Sequence, residues 1–405
     1  MNWPLVPLAE LAEFRNGVNY DRKSFGSGVR IVAVSNFQDF TKPRYAELEQ
    51  INPDGVVSDR DLLHEGDILF VRSNGNRALI GRSLYISKPP EPVTHSAFTI
   101  RVRFTDARAE PRFFAYLFRT PLIRRALEAH GGGTNISNLS QRVFAKLEVP
   151  LPSVGTQRRI TGILSAYDDL IENCERRIRV LDEMARAFYR EWFVLFRYPG
   201  HEKTPLVGSP LGRIPKGWAV RPVKDLATVI YGFAFKSALF STDSSGRTPV
   251  IRIRDIPVGA SSTYTSEVAD QRYEIENGDI LVGMDGDFHM TIWSNGRALQ
   301  NQRVARFRPA VGWTSLQLLL ALERPIQALN TAIVGTTVAH LGDMHIRDIQ
   351  LVEPSAEVLT RSRALFEPIE LESRTLQQKV RNLCKTRDLL LPRLISGQIS
   401  VEEAA

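Results

Sequence analysis

The feature that most limits what this chain can fold into is that it is written twice. Trp3-Pro-Leu-Val-Pro7-Leu-Ala-Glu-Leu11-Ala12, followed by Gly17, returns as Trp218-Ala-Val-Arg-Pro222-Val-Lys-Asp-Leu226-Ala227, followed by Gly232. Glu65-Gly66-Asp67-Ile68-Leu69 returns as Asn277-Gly278-Asp279-Ile280-Leu281, and Gly133-Thr134 with Leu139 and Leu147 returns as Gly335-Thr336 with Leu341 and Ile349. The blocks keep their order while the offset between copies shrinks slowly, the mark of a duplication whose loops then diverged. Two copies of one scaffold are therefore required.

Within each copy, short β-branched runs read as strands: Arg30–Val34 and Val250–Ile253, Ile68–Val71 and Ile280–Val282, Phe98–Phe104 and Val304–Phe307. A helical period follows at Phe113–Ala129 and Ser315–Thr331, with interruptions expected at Pro121 and Pro325. The expected class is α+β: two similar mixed α/β domains, separated by two long antiparallel coiled-coil helices. The boundaries that follow are a first domain over 1–155, a long helix over 156–197, a connector over 198–217, a second domain over 218–354, and a second long helix with its terminal motif over 355–397.

The long helices are read from a heptad seam. In the first, Ile160, Leu164, Tyr167, Ile171, Cys174, Ile178, Leu181, Ala185, Phe188 and Trp192 alternate spacings of four and three. In the second, Phe366, Ile369, Ser373, Leu376, Val380, Leu383, Arg387 and Leu390 do the same, weakened at Ser373 and Arg387, with a stop expected from Pro392 and Gly397. Such narrow stripes favour helix pairing, the alternative being that each packs on its own globular domain. Cys174 on the seam and Cys384 beside it read as small core residues; two thiols cannot staple 405 residues and point to a reducing cytosol. The Pro- and Gly-rich stretch Tyr198–Gly217 reads as a connector and nothing more.

Composition closes off several classes. With 43% hydrophobic and 24% charged residues the chain is globular, not fibrous or disordered. No window reaches the roughly 18 apolar residues of a membrane span, and the N-terminus lacks the pattern of a signal peptide. A net charge of +7 fits a nucleic-acid partner without proving one. No Walker-type phosphate loop is present, Gly131-Gly132-Gly133 reads as a loop, and Asn52-Pro53-Asp54-Gly55 reads as a turn rather than a methyltransferase motif. The best metal-like group is Asp285, Asp287 and His289, which could hold Mg²⁺ for phosphodiester hydrolysis, although Gly286 between the acids reads equally well as a tight turn.

What remains is a set of polar loops on the repeated scaffold. After Gly-Asp-Ile-Leu the first copy presents Arg72, Asn74, Asn76, Arg77 and Arg82; the second presents Asp285, Asp287, His289, Asn295, Arg297, Gln302 and Arg303. Thr134 and Asn135 sit in a further loop, comparable with Thr336–His340. Arg pairs with guanine, Asn and Gln with adenine, and Asp with cytosine, so these are candidate base-reading residues, with a solvated turn as the plainer alternative. His340 and His345 flank a turn with no third ligand.

Taken with the two-copy layout, three segments resemble one family: Ile214-Pro-Lys-Gly-Trp218, the helix Gln157–Trp192, and above all Thr386-Arg-Asp-Leu-Leu-Leu-Pro-Arg-Leu-Ile-Ser-Gly397. The chain resembles the specificity subunits of Type I restriction-modification systems. The resemblance implies a cytoplasmic, bacterial or archaeal reader of double-stranded DNA with no catalytic, cofactor or metal residues of its own. Each domain would bind half of a split asymmetric target, and the helices would set the gap. Two methyltransferase subunits using S-adenosylmethionine would dock on the helices, with Arg176, Arg177 and Arg186 as candidate contacts, and motor-nuclease subunits would supply ATP- and Mg²⁺-dependent cleavage. As one helix, residues 157–194 would span roughly 57 Å. The competing readings are a metal-dependent endonuclease using Asp285, Asp287 and His289, and a coiled-coil adaptor with no sequence preference.

Overall fold

A computed structural model describes residues 3–37, 41–76, 79–130, 139–332 and 340–401. The chain forms two units: Met1–Asp169 together with Leu383–Ala405, and Leu170–Asn382.

The units are built from the same parts. Unit 1 holds a four-stranded antiparallel sheet in the order Ala12–Asn16, Thr99–Phe104, Ile68–Val71, Ser83–Tyr85. Unit 2 repeats it as Ala227–Tyr231, Val304–Pro309, Ile280–Gly283, Met290–Ile292. Beside each lies a second sheet with one parallel pair, Phe25–Val32 with Val93–His95 and Thr248–Ile251 with Ala298–Gln300. A two-stranded ribbon opens and closes each copy: Leu5–Pro7 with Glu148–Pro150, and Ala219–Pro222 with Gln350–Glu353.

The repeated motifs have structural causes. Gly66 and Gly278 adopt φ of +91° and +98°, a turn that favours glycine. The aspartates that follow are buried and bridge that turn to the sheet. Asp67 accepts the His64 N–H at 2.7 Å and both arms of Arg103 at 2.7 Å. Asp279 accepts the Glu276 N–H at 2.9 Å and both arms of Arg308, at 2.8 and 2.9 Å. A bidentate guanidinium compensates a buried carboxylate well, because two charge-assisted bonds replace its lost water. Gly17 and Gly232 are demanded by close approach instead: a Cβ would lie 2.1 Å from the His95 carbonyl oxygen and 2.0 Å from that of Asn301.

The long helices run Val154–Tyr189, closed by a π turn over Arg190–Val194, and Ala356–Ile395. In unit 1 the start of the first helix meets the end of the second: Ile160 and Leu164 share a core with Leu391, Leu394 and Ile395, and also with Leu8, Phe113 and Phe114 of the globular part. In unit 2 the end of the first helix meets the start of the second, through Ala185, Phe193, Phe366 and Ile369. The helices are thus antiparallel in each unit. Ile171, Cys174 and Leu376 are buried; Tyr167, Ile178, Leu181, Phe188, Val380, Leu383 and Leu390 are half-buried. The stripe therefore serves two purposes, pairing the helices and sealing each globular core, where the sequence had left these as alternatives. Arg387 is accommodated because its Nη1 reaches Asp168 Oδ1 at 2.7 Å, and Asp168 Oδ2 also accepts the Tyr116 hydroxyl at 2.6 Å.

Three expectations fail. The first is Pro325, which lies inside an unbroken helix, Ser315–Ala332, whereas its counterpart Pro121 does start a new helix, Pro121–His130. The second is Pro392: the second long helix continues through it to Ile395, and Gly397, at φ +72°, follows the end. That end is held by tertiary contact, since the Trp3 indole N–H donates to the Ile395 carbonyl at 3.0 Å. The third is the bare connector, for Tyr198–Gly217 folds. Leu206–Ser209 and Gly212–Pro215 make a hairpin, Ile214 is buried, and Tyr198 stacks on Trp218 with ring centroids 5.5 Å apart. The apolar residues among the prolines and glycines had a core to join. Among the described residues no helix is long and apolar enough to cross a membrane.

Candidate nucleic-acid interface

One end of each four-stranded sheet gathers the polar candidates. In unit 1, Val71 pairs with Thr99, so the residues after Val71 meet those before Thr99. The Arg72 N–H donates to the Phe98 carbonyl at 2.9 Å, and the Arg72 carbonyl accepts from the Leu139 N–H at 2.8 Å. In unit 2 the same two bonds recur: the Met284 N–H donates to the Arg303 carbonyl at 3.0 Å, and the Met284 carbonyl accepts from the Leu341 N–H at 2.7 Å. Three chain segments that are distant in sequence are therefore tied together at one edge in both units.

The edge of unit 1 presents Arg72 and Asn74, half-buried, and Asn76, exposed. The Asn74 carboxamide oxygen accepts the Asn76 N–H at 2.7 Å, an Asx turn. Arg82 lies across the strand pair, its carbonyl accepting from the Val71 N–H at 3.0 Å. Its side chain lines an open cleft of about 510 Å³ with Arg119, Thr120 and Arg124. Arg77, Thr134 and Asn135 lie outside the described residues.

In unit 2 the edge is a linked polar group. Asp285 Oδ1 lies 2.6 Å from His340 Nδ1, and its Oδ2 lies 3.6 Å from Arg303 Nε. Arg303 Nη1 is 3.4 Å from the same His340 nitrogen. Gln302 and Asp287 are exposed nearby in the chain, and His289 Nε2 lies 3.7 Å from Asp287 Oδ2. Phe288 between them is buried at φ +46° and anchors this loop in the core. The acids are not arranged around a common point: Asp285 is committed to His340 and Arg303, and Asp287 is 82% exposed. Among the described residues no group of three or more His, Cys, Asp or Glu could hold a metal ion.

Asn295 and Arg297 do not join this edge. Ile280 pairs with Ile292 and Val282 with Met290, so the hairpin carries residues beyond Ile292 back to the opposite end, roughly 13 Å away along the strand. There Arg297 is held by Glu274, and the Asn295 amide reaches the Gly259 carbonyl at 3.5 Å. Their neighbour Ser294 donates to Gln377 on the second long helix at 2.6 Å.

Two edge residues were missed or left undecided. Phe98 is 60% exposed yet stands at the head of a core strand, where an aromatic reads as buried. His340 lacked a sequence partner because its partner, Asp285, is brought to it only by the fold.

A family model described as the Type I restriction modification DNA specificity domain matches residues 1–183 and 215–358. The chain belongs to that family. Both copies of the repeat are matched. The chain is 24% identical over 312 residues to the Type I restriction enzyme MjaIX specificity subunit of Methanocaldococcus jannaschii, covering 72% of this chain and 69% of that one. It is 31% identical over 195 residues to the EcoBI specificity subunit of Escherichia coli, covering 47% of this chain but only 41% of that protein. The crystal structure of the Type I restriction-modification S subunit from M. genitalium aligns over 97% of this chain and 96% of its own, with TM-score 0.62 at 15% identity, a likeness of fold. A specificity subunit of a Type I system contributes DNA recognition.

Proposed function

We propose that each unit reads one half of a split, asymmetric DNA target with the edge of its four-stranded sheet, and that the paired helices set the gap between halves. The observation that carries this reading is the pair of equivalent edges with unlike side chains. The same backbone bonds hold Arg72 and Phe98 in unit 1 and Met284 and Arg303 in unit 2. A common scaffold with different donors and acceptors is what two different half-sites require.

The chemistry belongs to partners in this reading. Methyltransferase subunits bring S-adenosylmethionine, and motor-nuclease subunits bring the ATP- and Mg²⁺-dependent steps. Of the arginines considered for methyltransferase docking, Arg177 is tied to Glu372, Arg186 to Glu323 and Asp182, and Arg176 to Glu172. Leu170, Val180 and Met184, each between 43% and 49% exposed on one face of the first long helix, fit a docking role better. The endonuclease reading finds no support, since Asp285, Asp287 and His289 do not converge.

The test is to map methylated adenines in the source genome, and again in cells whose specificity subunit lacks one turn of the first helix. A two-part motif is expected, with its gap altered by about one or two base pairs in the variant and its half-sites unchanged. A continuous motif, or altered half-sites with a constant gap, refutes the proposal.

A further inference from the structure

We propose that Phe98 is a base-contacting residue of unit 1, giving an apolar contact where the equivalent Arg303 of unit 2 gives a charged, hydrogen-bonding one. This rests on the reading of the sheet edge as the DNA-facing surface. The equivalence of the two positions is set by backbone bonds. Each directly precedes the strand residue that pairs with the end of the Gly-Asp-Ile-Leu strand, and each carbonyl accepts the N–H of the residue after that strand.

Phe98 is 60% exposed, but its backbone is not free to move. The Ala97 N–H donates to the Val18 carbonyl at 2.8 Å, and the Phe98 N–H to Ser96 Oγ at 3.2 Å. Both the N–H and the hydroxyl of Thr99 bind the Ser96 carbonyl, at 2.8 and 2.7 Å. Ser96 and Thr99 are themselves buried. An aromatic ring held out by a bolted turn loses little conformational entropy on binding, which is the economy that makes rigid exposed aromatics effective contact residues. Its carbonyl accepts the Arg72 N–H at 2.9 Å, which ties it to the loop carrying Arg72 and Asn74, residue types suited to base edges. An apolar ring on the same edge as such residues suits an apolar base surface. That surface is either a thymine methyl or the face of a base at an opened step.

The experiment uses the full-length chain and a duplex carrying the mapped methylation motif, with a scrambled duplex as reference. Phe98→Ala should weaken binding to the motif roughly ten- to hundred-fold. The dependence of affinity on salt should keep its slope, because no phosphate contact is lost. Phe98→Leu should retain part of the affinity, and Phe98→Arg should change the preferred base at one position of the first half-site only. Replacing thymine by uracil in that half-site should reproduce the loss if the contact is a methyl. A rise in 2-aminopurine fluorescence that Phe98→Ala abolishes marks an opened step instead. Unchanged affinity and motif in Phe98→Ala and Phe98→Arg would overturn the inference while leaving DNA reading intact. A loss of affinity matched by a fall in melting temperature would overturn it too, as a structural effect. Failure of the wild-type chain to prefer the motif over the scrambled duplex would overturn the functional reading itself.

Discussion

His95 should make unit 1 acid-sensitive in a way its counterpart in unit 2 is not. Its ring is fully buried, with Nδ1 2.8 Å from Thr99 Oγ1. Because that hydroxyl already donates to the Ser96 carbonyl, the His95 Nδ1–H is the donor and Nε2 is the unprotonated nitrogen. Nε2 is buried without a hydrogen-bond partner among the described residues. A proton there would be buried away from solvent and would face the charge of Arg101, so burial first and Arg101 second push the pKa down from 6.5 to about 3. The sign follows. Between pH 6.5 and 3 the unfolded chain takes a proton that the fold refuses, so stability falls as the pH falls through this window. At pH 5, with about 1.4 kcal/mol per pH unit below 6.5, the loss from this one group is about 2 kcal/mol. Unit 2 carries Gln300 at the same place, likewise fully buried, with its amide donating to the Ile230 and Val304 carbonyls at 2.7 Å. His95→Gln therefore removes the titration with a residue the scaffold already accommodates. The assay is urea unfolding of wild type and variant at pH 8 and pH 5, with hydrogen exchange over Thr99–Phe104 reporting on unit 1. The acid-induced loss should be about 2 kcal/mol larger in wild type than in His95→Gln, whatever the variant costs at pH 8. Equal losses in the two proteins would refute the reasoning.

Two further outcomes follow from the repeated motifs. Gly17→Ala or Gly232→Ala drives a methyl group into a carbonyl oxygen and should cost about 3 kcal/mol or prevent soluble expression. Gly75→Ala, with nothing within 4 Å of the added methyl among the described residues, should leave the urea midpoint unchanged. Asp67→Asn and Asp279→Asn each deprive a guanidinium of its bidentate partner, and the arginines are 23% and 46% exposed, so each should lose about 2 kcal/mol by chemical denaturation. A null effect at either aspartate would show that the motif is not what locks turn to sheet.

The architecture was legible because duplication and periodicity are local properties of the chain. Two copies with matched strand patterns must make two similar cores, and a three-four apolar spacing must put its residues on one helical face. The glycines and the Gly-Asp pairs were visible as repeats, but their reasons were not. Arg103 and Arg308 reach those aspartates from another strand. The candidate site was legible only in part. A single polar run from Asp285 to Arg303 was split by an antiparallel hairpin, which sent Asn295 and Arg297 to the far end of the sheet. His340 and Phe98 came to the edge from elsewhere. The prolines misled for a related reason: helix interiors tolerate Pro325 and Pro392 when packing holds the turn, and packing is invisible in sequence.

The amino-acid order alone thus determined that there are two kindred modules and two long helices, because each of those follows from which residues recur at which spacing. Only the folded chain decided which side chains share an edge, which half of each helix seals which core, and why Trp3 meets Ile395 across nearly the whole length of the chain. Those are contacts between residues remote in sequence, and their free energy depends on pairings that no local pattern encodes.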